Sequence, residues 1–312
     1  MYNIYMSRVV VVKYTGAAGD KFLERDQYRM LLDAAVKTLA GTDDFRAYLK
    51  GLFPKGAVGM KTNCLARFNP TLLPLVDALS ELLMASAGVA ENDIVVWERG
   101  NRELSNAGFK LNASSFGRRC LGTDTNGVGY DDSQFYSFGR VNSLVTSILT
   151  RLVDHSINLG VLKHHSIAGM SAGLKNMYGA VNNPNKYHAN NCSPFAAEIS
   201  GLEPIRTKHR LTIIDAIRVQ CDKGPAFDAA SMVAYNGLVV SQDPIAVDRI
   251  ALEILQHLRE LKGLPPLAKV GREVKYLTAG EQAGLGVNTR SQIDLQVRTV
   301  DANGVVSVGE LF

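Results

Sequence analysis

Asn158-Leu-Gly-Val-Leu-Lys163, continued by His164-His165-Ser-Ile-Ala-Gly-Met-Ser-Ala-Gly-Leu-Lys175-Asn176, is the stretch on which the reading of the fold turns. Its first part is a short apolar run ending in a basic residue, the pattern of a buried strand. After Ile167 the run of Ala, Gly and Ser reads as a small-residue helix. A strand leading into a helix is the repeating unit of an α/β sheet, and the same succession recurs on both sides.

Upstream, Arg8–Tyr14 is a β-branched strand and Arg25–Ala40 a helix with one apolar stripe (Tyr28, Leu31, Leu32, Ala35, Val36, Leu39), stopped by Gly41. The spacing predicts a helix over Asp43–Leu52, a strand over Ala57–Thr62, a helix from Pro70 to about Ala87, and a strand over Asp93–Glu98. About 112–142 is rich in Gly, Ser, Asn and Asp without periodicity and reads as an irregular excursion over the core. A helix over Ser143–Asp154 precedes the opening strand. Downstream come a helix near Pro194–Leu202, strands at Arg210–Ile217 and Leu238–Ser241, a helix over Pro244–Leu261, a short helix near Thr278–Ala283 and a last strand near Asp294–Val300. The expected fold is α/β, with mixed or mostly parallel sheets flanked by helices. It forms one domain over 1–312, with two lobes as the open alternative, and a crevice at the strand ends.

Composition narrows the function classes. With 46% hydrophobic and 21% charged residues the chain is a globular protein, not a disordered one. A net charge of +4 over 312 residues does not call for nucleic acid and suits a small anionic partner; the oligomeric state is left open. No apolar run is long enough to span a bilayer, and the start Met1-Tyr-Asn-Ile-Tyr5 shows no export signal, so as written the chain reads as cytoplasmic. Cys64, Cys120, Cys192 and Cys221 form no C-x-x-C pair, so there is no iron–sulfur motif. A P-loop and a Gly-rich dinucleotide turn after the first strand are both absent.

Four constellations carry candidate chemistry. Lys163-His164-His165 ends a strand, where adjacent side chains point to opposite faces, so the two histidines need not act together; Lys175-Asn176 follow a run small enough to let backbone approach a ligand. His188 sits in the turn-rich Asn182–His188. Lys61-Thr-Asn63 ends another strand and forms a basic, amide-rich strand end. Asp215 ends an apolar run, Asp243-Pro244 reads as an N-cap, Asp248 falls on the apolar pattern of its helix and needs a partner, and Glu98 follows an apolar strand.

Laid end to end, these residues resemble the bacterial family called domain of unknown function 362. The family's Lys-x-Asn is similar to Lys61-Thr-Asn63, and its Lys-x-His to Lys163-His-His165. Its Ala-Gly and Lys-Asn-x-x-Gly are similar to Ala168-Gly169 and to Lys175-Asn176 through Gly179. Asp215-Ala216, Gly224-Pro225 and Asp243 through Asp248 complete the match, which runs from about Arg8 to Leu285. Many members carry a ferredoxin iron–sulfur module, whose cysteine motif this chain lacks. The resemblance also implies a periplasmic alternative, because members of the most similar subtype are exported with a twin-arginine leader, which would here have been trimmed. A second, weaker likeness is to the nickel-pincer lactate racemases. It implies acid/base work for His165, cofactor anchoring for Lys175 and nickel ligation for His188, although Ala172 and Tyr178-Gly179 depart from that pattern and the loop to His188 is shorter.

These readings converge on an enzyme for a small carboxylate-bearing substrate working by proton transfer. Catalysis is expected from His165, Lys175, Asn176 and Asp215, and substrate binding from Lys61, Asn63, Lys163 and Asp243. One alternative is a metal-binding or redox protein in which His188 and His164, with His165, hold Zn²⁺, Ni²⁺ or Fe²⁺. Another is a non-catalytic binding protein.

Overall fold

The computed structural model describes residues 6–16 and 22–312. Met1–Tyr5, on which the export reading rests, lie outside the described residues. Twelve strands are present among them: β1 Ser7–Tyr14, β2 Val58–Lys61, β3 Ile94–Glu98, β4 Arg119–Gly122, β5 Tyr136–Phe138, β6 Val141–Ser143, β7 His155–His165, β8 Gly169–Ser171, β9 His209–Gln220, β10 Met232–Ser241, β11 Ile293–Val300 and β12 Val306–Val308. Ten of them form one sheet in the order β12-β11-β1-β10-β9-β7-β2-β3-β4, with β8 folded back on β7; β5 and β6 make a separate hairpin. The pairs β11/β1, β9/β7, β7/β2, β2/β3 and β3/β4 are parallel. β10 runs antiparallel to both neighbours, and β8 and β12 are also reversed. The sheet is therefore mixed and mostly parallel.

Each face of the sheet is covered, which is why its strands are apolar on both sides. Val10, Val12, Met60, Leu159 and Ile213 face the helices Arg25–Ala40, Phe45–Leu52 and Leu73–Leu82. Val9, Val11, Trp97 and Ile214 face Pro244–Leu261, Phe195–Gly201 and Tyr276–Gln282. From β2 the chain moves outward through β3 and β4; it then returns to the other side of β2 as β7 and continues through β9 to β10. The strand order thus reverses between β2 and β7, the place where a parallel sheet opens a crevice at its carboxyl ends.

Four elements differ from the sequence expectation. The small-residue run does not go straight into a helix: it turns back as β8 and only then forms one helical turn, Gly173–Asn176. Close packing explains the small residues. A Cβ on Gly160 would lie 2.9 Å from the Ala172 carbonyl carbon, and one on Gly169, at φ +78°, would lie 2.2 Å from the Arg272 carbonyl oxygen. The stretch 112–142 is not only an excursion, since β4 within it completes the sheet edge and the β5–β6 hairpin closes it. Over 143–154, the expected helix is reduced to a π-helical turn at Ile148–Leu152. Pro70 precedes its helix, which starts at Leu73 with Pro74 in the first turn; the intervening loop is tied down by Thr71 Oγ1, which accepts from Asn63 N (2.8 Å) and donates to the Leu159 carbonyl (3.1 Å). No helix among the described residues is long and apolar enough to cross a membrane.

Candidate functional site

The carboxyl ends of β2, β3 and β7 and the turn Gly173–Asn176 enclose a cleft of about 200 Å³. Lys61, Asn63, Lys163, His165, Lys175, Asn176 and His188 all line it, so seven of the residues expected from sequence converge.

Three lysines are buried here, and they are not equivalent. Lys61, 1% exposed, is an ion-pair residue: its Nζ lies 2.6 Å from Glu98 Oε1, donates to the Thr62 carbonyl (2.6 Å) and stands 5.4 Å from the centroid of Trp97. Glu98 also accepts from Arg99 N (2.7 Å) and Cys64 N (2.9 Å). Gly179 leaves room for this pair, for a Cβ there would come within 2.8 Å of Lys61 Cε and 3.0 Å of Glu98 Oε1. That contact accounts for the glycine three residues after Asn176.

Lys163 and Lys175 have no carboxylate partner among the described residues. Lys163 donates to Asn63 Oδ1 (2.8 Å) and to the Asn69 carbonyl (3.1 Å), and burial pushes its pKa down to about 8. Lys175 reaches His188 Nε2 at 3.2 Å and lies 3.5 Å from the centroid of Tyr178; burial lowers it to about 8 as well.

The histidines are held neutral. His165 Nδ1 accepts from the backbone N–H of Ile167 (3.1 Å) and Ala168 (3.2 Å), which leaves the ring proton on Nε2. Burial, then Lys175 and His188, push its pKa down to about 3. His188 Nδ1 lies 3.0 Å from the Pro184 carbonyl, to which it donates, so Nε2 is the acceptor for the Lys175 ammonium. Its pKa is lowered by burial and then by Lys175.

An amide relay fixes the floor. Asn176 Oδ1 accepts from Asn63 Nδ2 (3.1 Å), and Asn176 Nδ2 donates to Asn158 Oδ1 (2.8 Å). Asn158 Nδ2 in turn donates to the Gly173 carbonyl (2.8 Å). Asp248, fully buried, accepts from Gly173 N (2.8 Å) and Leu174 N (3.0 Å), the partner its place in an apolar helix face required; burial lifts it to about 7. It anchors the turn that presents Lys175 and Asn176. Asn158 and Tyr178 are absent from the expectation drawn from sequence. The available signal for Asn158 is an amide inside the apolar run of β7; Tyr178 carries none, since an aromatic beside a small-residue run reads as core.

Three expected site residues lie elsewhere. Asp215 follows the parity of Ile213 and Ile217 and faces the helix Arg25–Ala40, where Tyr28 Oη donates to it (2.9 Å) and Ile217 N bonds its other oxygen (2.9 Å). Asp243 caps Pro244–Leu261, accepting from Ile245 N (2.8 Å), Ala246 N (2.9 Å) and Val287 N (2.9 Å). His164 points away from His165, as strand alternation requires, with its Nε2 3.8 Å from Asp222 Oδ1. The expected metal set is thereby broken up: His165 Nδ1 and both nitrogens of His188 are already engaged, and no group of three His, Cys, Asp or Glu among the described residues could hold a metal ion.

Placing Asp215 outside the cleft has a measurable consequence. Burial raises its pKa to about 6 from the usual 3.8, so its contribution to stability is fully present below about 3.8 and is lost as the pH rises through about 6. Asp215→Asn keeps an acceptor for Ile217 N and offers a donor to Tyr28. It is expected to raise stability at pH 7–8 by on the order of 1 kcal/mol, about 2 °C in Tm, and to leave ligand titrations of the cleft as in the wild type. A lower Tm together with weaker binding would return Asp215 to the site.

The family comparison agrees with the resemblance read from the motifs. The sequence model of the family described as "Domain of unknown function (DUF362)" matches residues 58–253, more than half of the chain. The chain belongs to this family. The matched segment begins at β2 and ends in Pro244–Leu261, so it contains every residue of the cleft. Among solved structures, a crystal structure of a protein from Thermotoga maritima is similar, at 11% identity and a TM-score of 0.37, over 71% of this chain and 59% of that one. The chain thus spans about 59% of that protein's length. None of the curated proteins matches, and the likeness to lactate racemases is without support.

Proposed function

We propose that the protein is an enzyme that binds a small carboxylate in the cleft and moves a proton next to its carbonyl carbon. The observation that carries this reading is the pair Lys163 and Lys175: two buried ammonium groups facing one cleft, with lowered pKa values and no ion pair to either among the described residues, Glu98 being paired with Lys61. Burying a cation without a counter-charge is costly, and an anionic ligand supplies the missing charge.

In this reading Lys163 holds the carboxylate, and Asn63 keeps Lys163 in place. Lys175, with a pKa of about 8, is the proton carrier, because a group that titrates near working pH serves in both directions. His188 accepts from Lys175 and orients it. His165 is too acidic to be the base; its Nε2–H is a neutral donor toward the oxygen on which charge develops. This shifts the acid/base role expected of His165 onto Lys175.

The pH dependence follows from the two lysines. Lys163 must keep its proton to hold the anion, so binding weakens as pH rises through about 8; Lys175 must lose its proton to act as base, so abstraction speeds up over the same range. The product is a bell with its maximum near pH 8. The experiment is exchange of the C2 proton of short 2-hydroxy acids, and of the C3 proton of short 2-keto acids, with D₂O, followed by NMR from pH 6 to 10. Exchange lost in Lys175→Met and His188→Ala is the expected result. Exchange of equal rate in Lys175→Met, or carboxylate binding with no exchange at any pH, overturns the catalytic assignment.

A further inference from the structure

The cleft has a basic floor and an apolar lip. Leu65, which lines it, is 77% exposed; Phe68 and Phe227 are 60% and 41% exposed. The two rings meet at 5.6 Å between centroids, tilted by 50°. They come from different loops, one following β2 and one following β9, and Pro225, two residues before Phe227, lines the cleft itself. Arg67 also packs on the Phe68 ring, with its guanidinium carbon 5.3 Å from the centroid. Three large apolar side chains in water cost free energy unless something covers them, and here they continue a pocket whose inner end is cationic.

Resting on the anion-binding reading above, we infer that the ligand is an amphipathic carboxylate, whose anionic head sits at Lys163 and Lys175 and whose apolar tail leaves the cleft over Leu65, Phe68 and Phe227. Charge complementarity orients the molecule: the head goes to the lysines, and the apolar tail goes to the apolar lip. The inner cavity of about 200 Å³ takes the head and a few carbons, so chain-length dependence arises at the lip.

The test is calorimetric titration of the full chain with straight-chain monocarboxylates from acetate to octanoate at pH 7. The expected result is a rise in affinity of roughly two- to fourfold per methylene from butanoate to octanoate. That slope should flatten in Phe68→Ser/Phe227→Ser, whose replaced side chains are exposed and outside the core, and all binding should weaken in Lys163→Met. Equal affinity for acetate and octanoate overturns the inference and leaves the anion reading intact. No binding of any carboxylate overturns both. Sedimentation of the protein with phosphatidylglycerol vesicles, lost in the double variant and accompanied by no chain-length slope, also overturns it by assigning the lip to a membrane surface.

Discussion

Lys175→Met is expected to stabilise the fold and disable the site at once. Methionine keeps the length of the side chain and its packing against Tyr178 while removing a buried charge. In the folded protein Lys175 titrates near 8 instead of 10.5. The stability associated with the neutral amine is present above about 10.5 and is lost as the pH falls through about 8. At pH 7 the wild type therefore bears the cost in full, and the variant should gain about 1–3 kcal/mol in urea unfolding. The gain should shrink between pH 8 and 10.5, a signature that better packing alone would not give. Carboxylate affinity at pH 7 should fall about tenfold to a hundredfold, the loss of a hydrogen bond to a charged donor. A variant that is less stable than wild type at pH 7 would show that Lys175 has a counter-charge in solution, and the reading of the cleft as an anion site would fall with it.

Lys61→Met is expected to do the opposite. Lys61 lines the same cleft and is equally buried, but its Nζ sits 2.6 Å from Glu98. Removing it strands a buried carboxylate that retains only the Arg99 and Cys64 amides. Breaking one side of such a pair costs about 3–5 kcal/mol, against a gain at Lys175. The double variant Lys61→Met/Glu98→Gln should recover most of that loss, because a neutral amide next to an apolar chain carries no unpaired charge. Chemical denaturation of the three variants at one pH checks the series. If Lys61→Met costs less than about 1 kcal/mol, Lys61 is a free cation like the other two and belongs among the ligand-binding groups.

The contrast between these lysines marks where sequence reading stops. Lys61, Lys163 and Lys175 stand out alike, each basic at the end of a strand or a small-residue run. Which of them is neutralised depends on Glu98, 37 residues from Lys61 and brought beside it by parallel pairing of β2 and β3. The aspartates show the same limit. Asp215 and Asp248 both sit in apolar runs, but the face of β9 sends one to Tyr28, whereas the packing of Pro244–Leu261 brings the other under the turn that carries Lys175. The histidine pair was legible in outline, since strand alternation alone separates His164 from His165.

Local chemistry wrote the elements. The Pro244–Leu261 helix, its Asp243 cap, the β-branched strands and the strand–helix alternation follow from propensity and periodicity along a few residues, so the α/β class and the mostly parallel sheet are properties of the sequence read by itself. Contacts between distant segments decided everything else. They drew β4 out of an irregular stretch to the sheet edge, and left Lys163 and Lys175 without an ion pair among the described residues. The physical reason is that burial and charge compensation belong to pairs of residues brought together by the fold: a side chain carries its charge with it, but the neighbour that cancels that charge, or fails to, is supplied by the tertiary structure.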